Sequence, residues 1–225
     1  MIARMSRVLV LAPHPDDEVL GVGGVMARLA ASGAVVEVGI VTEGKAPQFS
    51  AEQVAAVRAE AAAAHGVLGV TRTHHLGLPA AGLDQVPHAE LNRAIAGLIA
   101  AVRPDTLFVP FPGDIHRDHQ LVFEAAMVAV RPTRDDYPVR VLAYETLSET
   151  NWNAPFLTPA FAPNVFIDIT ATLGTKLEAF GAFVSQVRAF PSERSVEALS
   201  ALARLRGATV HRAAAEAFVL IREVG

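Results

Sequence analysis

Short apolar runs rich in β-branched residues alternate with longer stretches of helix-forming residues along most of this chain. The predicted strands cover residues 8–11, 35–41, 73–76, 107–110 and 139–144. The predicted helices cover residues 20–31, 51–68, 89–102 and 118–130. An order in which strands and helices alternate favours a parallel sheet with helices on both faces. We therefore predict an α/β, Rossmann-like fold built on a mostly parallel sheet.

The composition limits the chemistry that this chain can carry out. It has 225 residues, a length that one α/β domain reaches, so we expect residues 1–225 to form a single domain. The absence of cysteine excludes disulfides, thiolate metal sites and a cysteine nucleophile, which leaves histidine and carboxylate ligands for any metal. A formal net charge of -4 gives no reason to expect a nucleic-acid partner.

The apolar run near residue 10 is too short for a signal peptide or a membrane span. We therefore expect a cytoplasmic protein. A hydrophobic share of 52% permits a homo-oligomer without indicating one.

Two clusters of metal-binding residue types follow two of the predicted strands. His14 and Asp17 follow the first strand, and His116 and His119 follow the strand at residues 107–110. Ligands of open parallel sheets bind outside the carboxyl ends of the strands. If each loop continues into the first turn of a helix, the residues of each pair face the same side. Two imidazoles and one carboxylate form a common catalytic zinc site, and the same set can bind iron(II).

Other interpretations of these clusters remain open at this point. A His-x-x-His pair alone is often accidental, and an acidic run such as residues 16–18 can be an exposed helix cap. The two clusters also fit another metal-dependent hydrolase, such as a phosphoesterase, or a module that binds a sugar or a nucleotide without catalysis. A two-metal phosphoesterase usually needs more ligands than these loops supply. A second carboxylate beside the ligands, Asp16, argues for catalysis rather than binding alone.

The sequence resembles the PIG-L/LmbE family of zinc deacetylases. The first family motif is similar to the stretch Ala12-Pro13-His14-Pro15-Asp16-Asp17-Glu18, and the second is similar to His116-Arg117-Asp118-His119. Weaker similarity continues almost to the end of the chain. The resemblance implies a Rossmann-like fold and a hydrolase that removes the acetyl group from an N-acetylglucosamine-type conjugate, a small-molecule substrate.

The resemblance also implies roles for single residues. The implied metal ligands are His14, Asp17 and His119, the general base is Asp16, and His116 stabilises the tetrahedral intermediate or donates a proton. Asp118 would orient an imidazole, and Arg58 would contact the polar groups of the substrate. A deacylase of a non-sugar amide is the alternative within the same class. Ala80 and Ala81 stand where the family often has an acidic residue, a difference that bears on which sugar is bound.

Position and chemistry suggest further substrate contacts. Asp114 and Arg117 flank the second cluster, and Asn151 and Trp152 begin a Pro- and Asn-rich loop at residues 151–163. A tryptophan and an asparagine can form a wall for a sugar ring. The glycines at positions 21, 23 and 24 predict close helix packing rather than a dinucleotide loop, because Met26 stands where that fingerprint needs a small residue.

Overall fold

The computed structural model describes residues 5–133, 137–152, 154 and 156–225. In this part of the chain, a seven-stranded sheet is formed by Arg7–Ala12 (β1), Val35–Glu43 (β2), Arg72–Pro79 (β3), Thr106–Pro110 (β4), Arg140–Tyr144 (β5), Val165–Asp168 (β6) and Ala215–Glu223 (β7). The helices are Asp17–Ala31 (α1), Ala51–Leu68 (α2), His88–Val102 (α3), Arg117–Ala129 (α4), Leu173–Gly181 (α5) and Val196–Thr209 (α6).

The strand order is β3-β2-β1-β4-β5-β7-β6, and the first five strands run parallel. The predicted mostly parallel α/β sheet is therefore confirmed. From β1 the chain winds outward to β2 and β3, and it then returns to place β4 on the other side of β1. The winding thus reverses between β1 and β4, where a crevice forms at the carboxyl ends of the strands. The two loops rich in metal-binding residues leave the sheet at this point.

Each face of the sheet is covered by its own layer of helices. Alternate residues of β1 point to opposite faces, so that Val8 and Val10 contact the layer formed by α1, α2, α5 and α6. Leu9 and Leu11 contact the layer formed by α3 and α4. All four side chains are fully buried. Burial on both faces explains why β1 is a continuous apolar run rather than an alternating one.

The observed elements differ from the predicted ones mainly at the helix starts and beyond Tyr144. Helix α1 begins at Asp17 rather than at residue 20, so the acidic run forms its first turn, where the helix dipole favours negative charge. The elements after Tyr144 had no counterpart among the predicted ones. Among them, β7 lies antiparallel between β5 and β6, and β6 is the strand at that edge of the sheet.

The glycines of α1 allow close packing, as predicted. A Cβ atom at Gly21 would lie 2.2 Å from the ring of Tyr144, and one at Gly24 would lie 2.7 Å from Ile169. Both distances are shorter than any van der Waals contact, so these positions bring α1 against the sheet and the α5 segment. No helix among the described residues is long and apolar enough to cross a membrane.

Candidate metal centre and active-site cavity

The loop after β1, which carries the first cluster of candidate metal ligands, makes an unusual backbone turn at Asp16. This residue has φ 107°, in the left-handed region that few non-glycine residues adopt, although Asp and Asn tolerate it better than most. Its carbonyl accepts hydrogen bonds from the amides of Val19 and Leu20 at 3.0 and 2.9 Å and so begins α1. Its own amide donates to Glu18 Oε2 at 3.2 Å. Strain of this kind persists where the surroundings fix it, commonly at functional sites.

One carboxylate oxygen lies close to candidate ligands from both loops. Asp17 Oδ2 lies 3.3 Å from His14 Nδ1 and 3.2 Å from His119 Nε2. The same oxygen accepts a hydrogen bond from the His14 amide at 2.8 Å. The three side chains come from the ends of β1 and β4, which are adjacent strands, so the winding of the sheet brings them together.

A second carboxylate lies behind each imidazole. His14 Nε2 donates to Asp118 Oδ2 at 3.0 Å, and His119 Nδ1 donates to Asp114 Oδ2 at 2.8 Å, because a carboxylate only accepts. Thr150 Oγ1 in turn donates to Asp114 Oδ1 at 2.6 Å. Carboxylates that hold the remote nitrogen of a ligand histidine fix its tautomer and orientation and raise its basicity.

The residues present fit a divalent cation. His119 Nε2 is buried and makes no hydrogen bond with any described residue, although it faces Asp17. Suitable ligand atoms of His14, Asp17 and His119 lie within 4.8 Å of one another. A second combination, His14 with His116 and Asp118, also meets this distance. We favour the first set, because Asp118 already accepts hydrogen bonds from the amides of Ala81 and Leu83.

The charges of the site raise the pKa of both imidazoles. Burial lowers the pKa of His14, but the hydrogen bond to Asp118 and the charge of Asp17 outweigh it and raise the pKa to about 9. Burial also lowers the pKa of His119, but the charges and hydrogen bonds of Asp17 and Asp114 outweigh it and raise that pKa to about 10. The His119 imidazolium holds the pKa of Asp17 well below its usual range, despite the burial of that carboxyl. An uncompensated set of buried acids thus attracts positive charge, which protons supply when no cation does.

Asp16 lies beside the ligand set but is not part of it. Its Oδ2 accepts a hydrogen bond from Arg194 Nη2 at 2.5 Å. Burial raises the pKa of Asp16 well above its usual value, and the charges of Asp17 and Glu18 add to this, while Arg194 opposes it. A carboxyl with a raised pKa is suited to take up and return a proton near neutral pH.

His116 begins α4 and accepts a hydrogen bond at Nδ1 from the Asp118 amide at 3.1 Å. A neutral His116 ring therefore carries its proton on Nε2. Burial and the neighbouring His14 lower the pKa of His116, which favours the neutral ring. Its ring centroid lies 4.5 Å from that of His14, and the residue lines the cavity described below, so the neutral ring is a hydrogen-bond donor beside the candidate metal ligands.

These residues open into a cavity of about 280 Å³. The cavity is lined by His14, Asp16, Asp17 and His116, and also by the apolar side chains of Phe49, Val54 and Val57 from the start of α2 and the loop before it. Ala80 and Ala81 also contribute to the lining. A cavity that is largely apolar with a few convergent polar groups is typical of a small-molecule site.

The other residues predicted to contact the substrate lie in different places. Arg58 lines the cavity and donates to Glu43 Oε1 at 2.6 Å. Arg117, Asn151 and Trp152 are not among the described residues that line it. Arg117 is exposed and donates to Gln120 Oε1 at 2.8 Å.

Asn151 and Trp152 both bond to Glu193, the residue before Arg194. These two side chains therefore fix the position of the segment that carries Arg194, and they do not line the cavity. Asp114 is fully buried, so the substrate contact predicted for it was wrong, and its partner is His119.

Three features of the site had no counterpart among the predicted residues. Arg194 reaches Asp16 from a segment 178 residues away, and no local pattern indicates it. Glu18 accepts from the Asp16 amide and contacts His65 Nε2 at 2.9 Å, which makes His65 a buried structural residue. Glu149 lines the cavity from the loop after β5. Its position shortly after the apolar strand β5 is the sequence signal that indicates it.

Comparisons with known proteins show the family of this chain. The family model for GlcNAc-PI de-N-acetylase, PIG-L, matches residues 9–130, more than half of the chain. The diacetylchitobiose deacetylase of Thermococcus kodakarensis is 28% identical over 202 residues, which cover 84% of this chain and 72% of that protein. The solved structure of the conserved protein TT1542 from Thermus thermophilus is 29% identical, with a TM-score of 0.79, and the match covers 98% of this chain and 97% of that one.

The fold alone is shared more widely. GalB, the 4-carboxy-2-hydroxymuconate hydratase of Pseudomonas putida, has a TM-score of 0.75 at 21% identity, with 98% of each chain covered. The class is nevertheless defined by the family match and the named relatives: the protein is an enzyme of the deacetylase type, which hydrolyses carbon–nitrogen bonds other than peptide bonds. The chain belongs to the PIG-L family, as its two motifs predicted.

Proposed function

We propose that this protein is a divalent-metal-dependent deacetylase of an N-acetylglucosamine-type conjugate. The observation that carries the proposal is the convergence of His14 and His119 on Asp17 Oδ2, with Asp16 beside them in a cavity wall. The relatives are named as deacetylases of diacetylchitobiose and of an inositol-linked acetamido-glucopyranoside. Zinc suits the two imidazoles and one carboxylate, and iron(II) is the alternative ion.

His14, Asp17 and His119 would hold the metal, and Asp118 and Asp114 keep the two imidazoles oriented towards it. A divalent ion in such a site supplies a Lewis acid that polarises an amide carbonyl and makes a water molecule more acidic.

Asp16 accepts the proton of the attacking water, and the Arg194 guanidinium holds the Asp16 carboxylate in place. The Nε2–H of His116 donates to the carbonyl oxygen as that oxygen gains negative charge. Such a donor contributes roughly 100- to 1000-fold in rate. The proton held by Asp16 then passes to the leaving nitrogen. The bond between carbonyl carbon and nitrogen breaks, and the products are acetate and the free amino-sugar.

The test is the release of free amine from a panel of N-acetylglucosamine derivatives by metal-stripped and zinc-reloaded protein. We expect release only after reloading. The variant Asp16→Asn should bind zinc normally and lose turnover, because asparagine tolerates the backbone of Asp16 but cannot take up the proton. The matched control is Asp84→Asn, which changes an exposed carboxylate bonded to Gln85. An Asp16→Asn variant that is zinc-loaded and fully active would contradict the assignment of the base.

Deacylation of a non-sugar amide is a second candidate, favoured by the apolar wall of Phe49, Val54 and Val57. The same assay with N-acetylated alkylamines distinguishes the two. Preference for the alkylamines over every amino-sugar derivative would support the second candidate and contradict the first.

A further inference from the structure

Glu149 is held against the second metal-binding loop. Its carbonyl accepts a hydrogen bond from the Ile115 amide at 3.2 Å, and its amide donates to the Thr146 carbonyl at 3.1 Å. The next residue, Thr150, donates to Asp114 Oδ1 at 2.6 Å. Because Asp114 also binds His119, the backbone of Glu149 has a fixed position relative to the metal ligands.

The side chain of Glu149 lines the cavity and is half-buried. Its carboxylate makes no hydrogen bond or ion pair with any residue that the structure describes. The other acidic residues of the cavity wall are all paired: Asp16 with Arg194, Asp17 with both histidines, and Glu43 with Lys45 and Arg58. Burial above all, and then the charge of Asp17, raise the pKa of Glu149 to about 7.

A half-buried carboxylate without a partner is unfavourable unless a ligand satisfies it. The ionised carboxylate only accepts hydrogen bonds, so a donor on the ligand both satisfies it and favours its ionisation against the burial that raises its pKa. Asp16 and His116 already provide the groups that move protons at the amide. The donors that an amino-sugar offers away from its amide are its hydroxyl groups.

We propose that Glu149 is a specificity-determining residue of this site, whose carboxylate accepts a hydrogen bond from a hydroxyl group of the amino-sugar; this assignment rests on the proposed function. Glu149 selects for a substrate with a hydroxyl at one particular ring position. It contributes to substrate binding and not to proton transfer at the amide.

The test combines changes in the enzyme with changes in the substrate. Values of kcat and KM are measured for wild type, Glu149→Gln and Glu149→Ala with an N-acetylglucosamine glycoside and with analogues that each lack one hydroxyl. With the complete substrate, we expect KM to rise about 10- to 100-fold for Glu149→Ala, with little change in kcat. Glu149→Gln should fall between wild type and Glu149→Ala, because its amide oxygen still accepts but carries no charge.

For one deoxy analogue, the KM of the wild-type enzyme should rise as much as the KM of the alanine variant rises for the complete substrate. With that analogue, the KM of the alanine variant should equal the KM of the wild-type enzyme, because the two changes remove the same hydrogen bond. The remaining analogues should be affected equally in wild type and variant. Glu124→Ala, which changes an exposed side chain on α4, is the control and should match wild type. Equal zinc content and equal melting temperature show that the variants are folded.

Two results would overturn the assignment and leave the proposed function intact. In the first, the effects of Glu149→Ala and of hydroxyl removal on KM are additive for every analogue; in the second, Glu149→Ala lowers kcat and leaves KM unchanged. The second would make Glu149 a group that moves protons. No amine release by the wild-type enzyme from any amino-sugar overturns the proposed function and this assignment together.

Discussion

Arg194 Nη2 lies 2.5 Å from Asp16 Oδ2, although 178 residues separate them in the chain. Asp16 is 2% exposed, and Asp17 and Glu18 follow it directly, so its carboxylate has two acidic neighbours in a buried site. The Arg194 guanidinium opposes this concentration of negative charge more strongly than His14 does. The segment that carries it is attached through Glu193 to Asn151 and Trp152. The positioning of the proposed base thus depends on the C-terminal part of the chain.

Replacement of Arg194 by alanine should lower kcat about 10- to 100-fold and move the acid limb of the pH–rate profile to higher pH. Without the guanidinium, the pKa of Asp16 rises further, so a smaller fraction of the carboxyl is ionised at neutral pH. The measurement is kcat/KM against pH at equal zinc content. Arg204→Ala, an exposed change on α6, should leave the profile unchanged. An Arg194→Ala profile that overlays wild type would contradict this role.

The variant Asp114→Asn should weaken zinc binding about 10- to 100-fold. The change removes the charge that orients His119 through Nδ1, and it leaves the three proposed ligands intact. Zinc affinity is measured by competition with a chromogenic chelator, with Asp84→Asn as the control for loss of one negative charge. Unchanged affinity would mean that packing alone orients the His119 ring.

Metal binding should release about two protons at pH 7. Without metal, the pKa values of His14 and His119 are about 9 and about 10, so both imidazoles are protonated at neutral pH and must lose a proton to become ligands. Zinc affinity should therefore rise with pH, by roughly 100-fold per unit for two protons, until the pH approaches the lower of these pKa values.

Calorimetric titration in buffers of different ionisation enthalpy counts the protons. His88→Gln, an exposed change at the start of α3, should not alter the count. A count near zero would show that both rings are neutral before the metal binds.

Gly21→Ala should destabilise the protein by about 1–3 kcal/mol, because the added methyl group would overlap the buried ring of Tyr144. Tyr144 has little freedom to move, since its hydroxyl donates to the Leu11 carbonyl at 2.8 Å. The matched change is Gly97→Ala on α3, where a Cβ atom meets nothing within 4 Å. That variant should be as stable as wild type or up to about 1 kcal/mol more stable. Denaturant unfolding of both variants provides the comparison, and equal stabilities would refute the close packing of α1.

The sequence predicts which side chains meet at the candidate metal site, because their positions are encoded locally. His14 and Asp17 are three residues apart, as are His116 and His119, and each pair follows an apolar strand. The rule that ligands bind where parallel strands end then brings the two loops together. The alternation of strands and helices likewise predicts the sheet up to Tyr144, because buried parallel strands are recognisable as continuous apolar runs.

The support of these groups comes from contacts between segments that lie far apart in the chain. Arg194 reaches Asp16, Asp114 turns from a predicted substrate contact into the partner of His119, and Asn151 and Trp152 bond to Glu193 rather than lining the cavity. The antiparallel position of β7 between β5 and β6 belongs to the same group of features. Spacing in the sequence determines which side chains share a turn of helix or follow a strand. Contacts between distant segments depend on the packing of whole helices and strands, which no local pattern records.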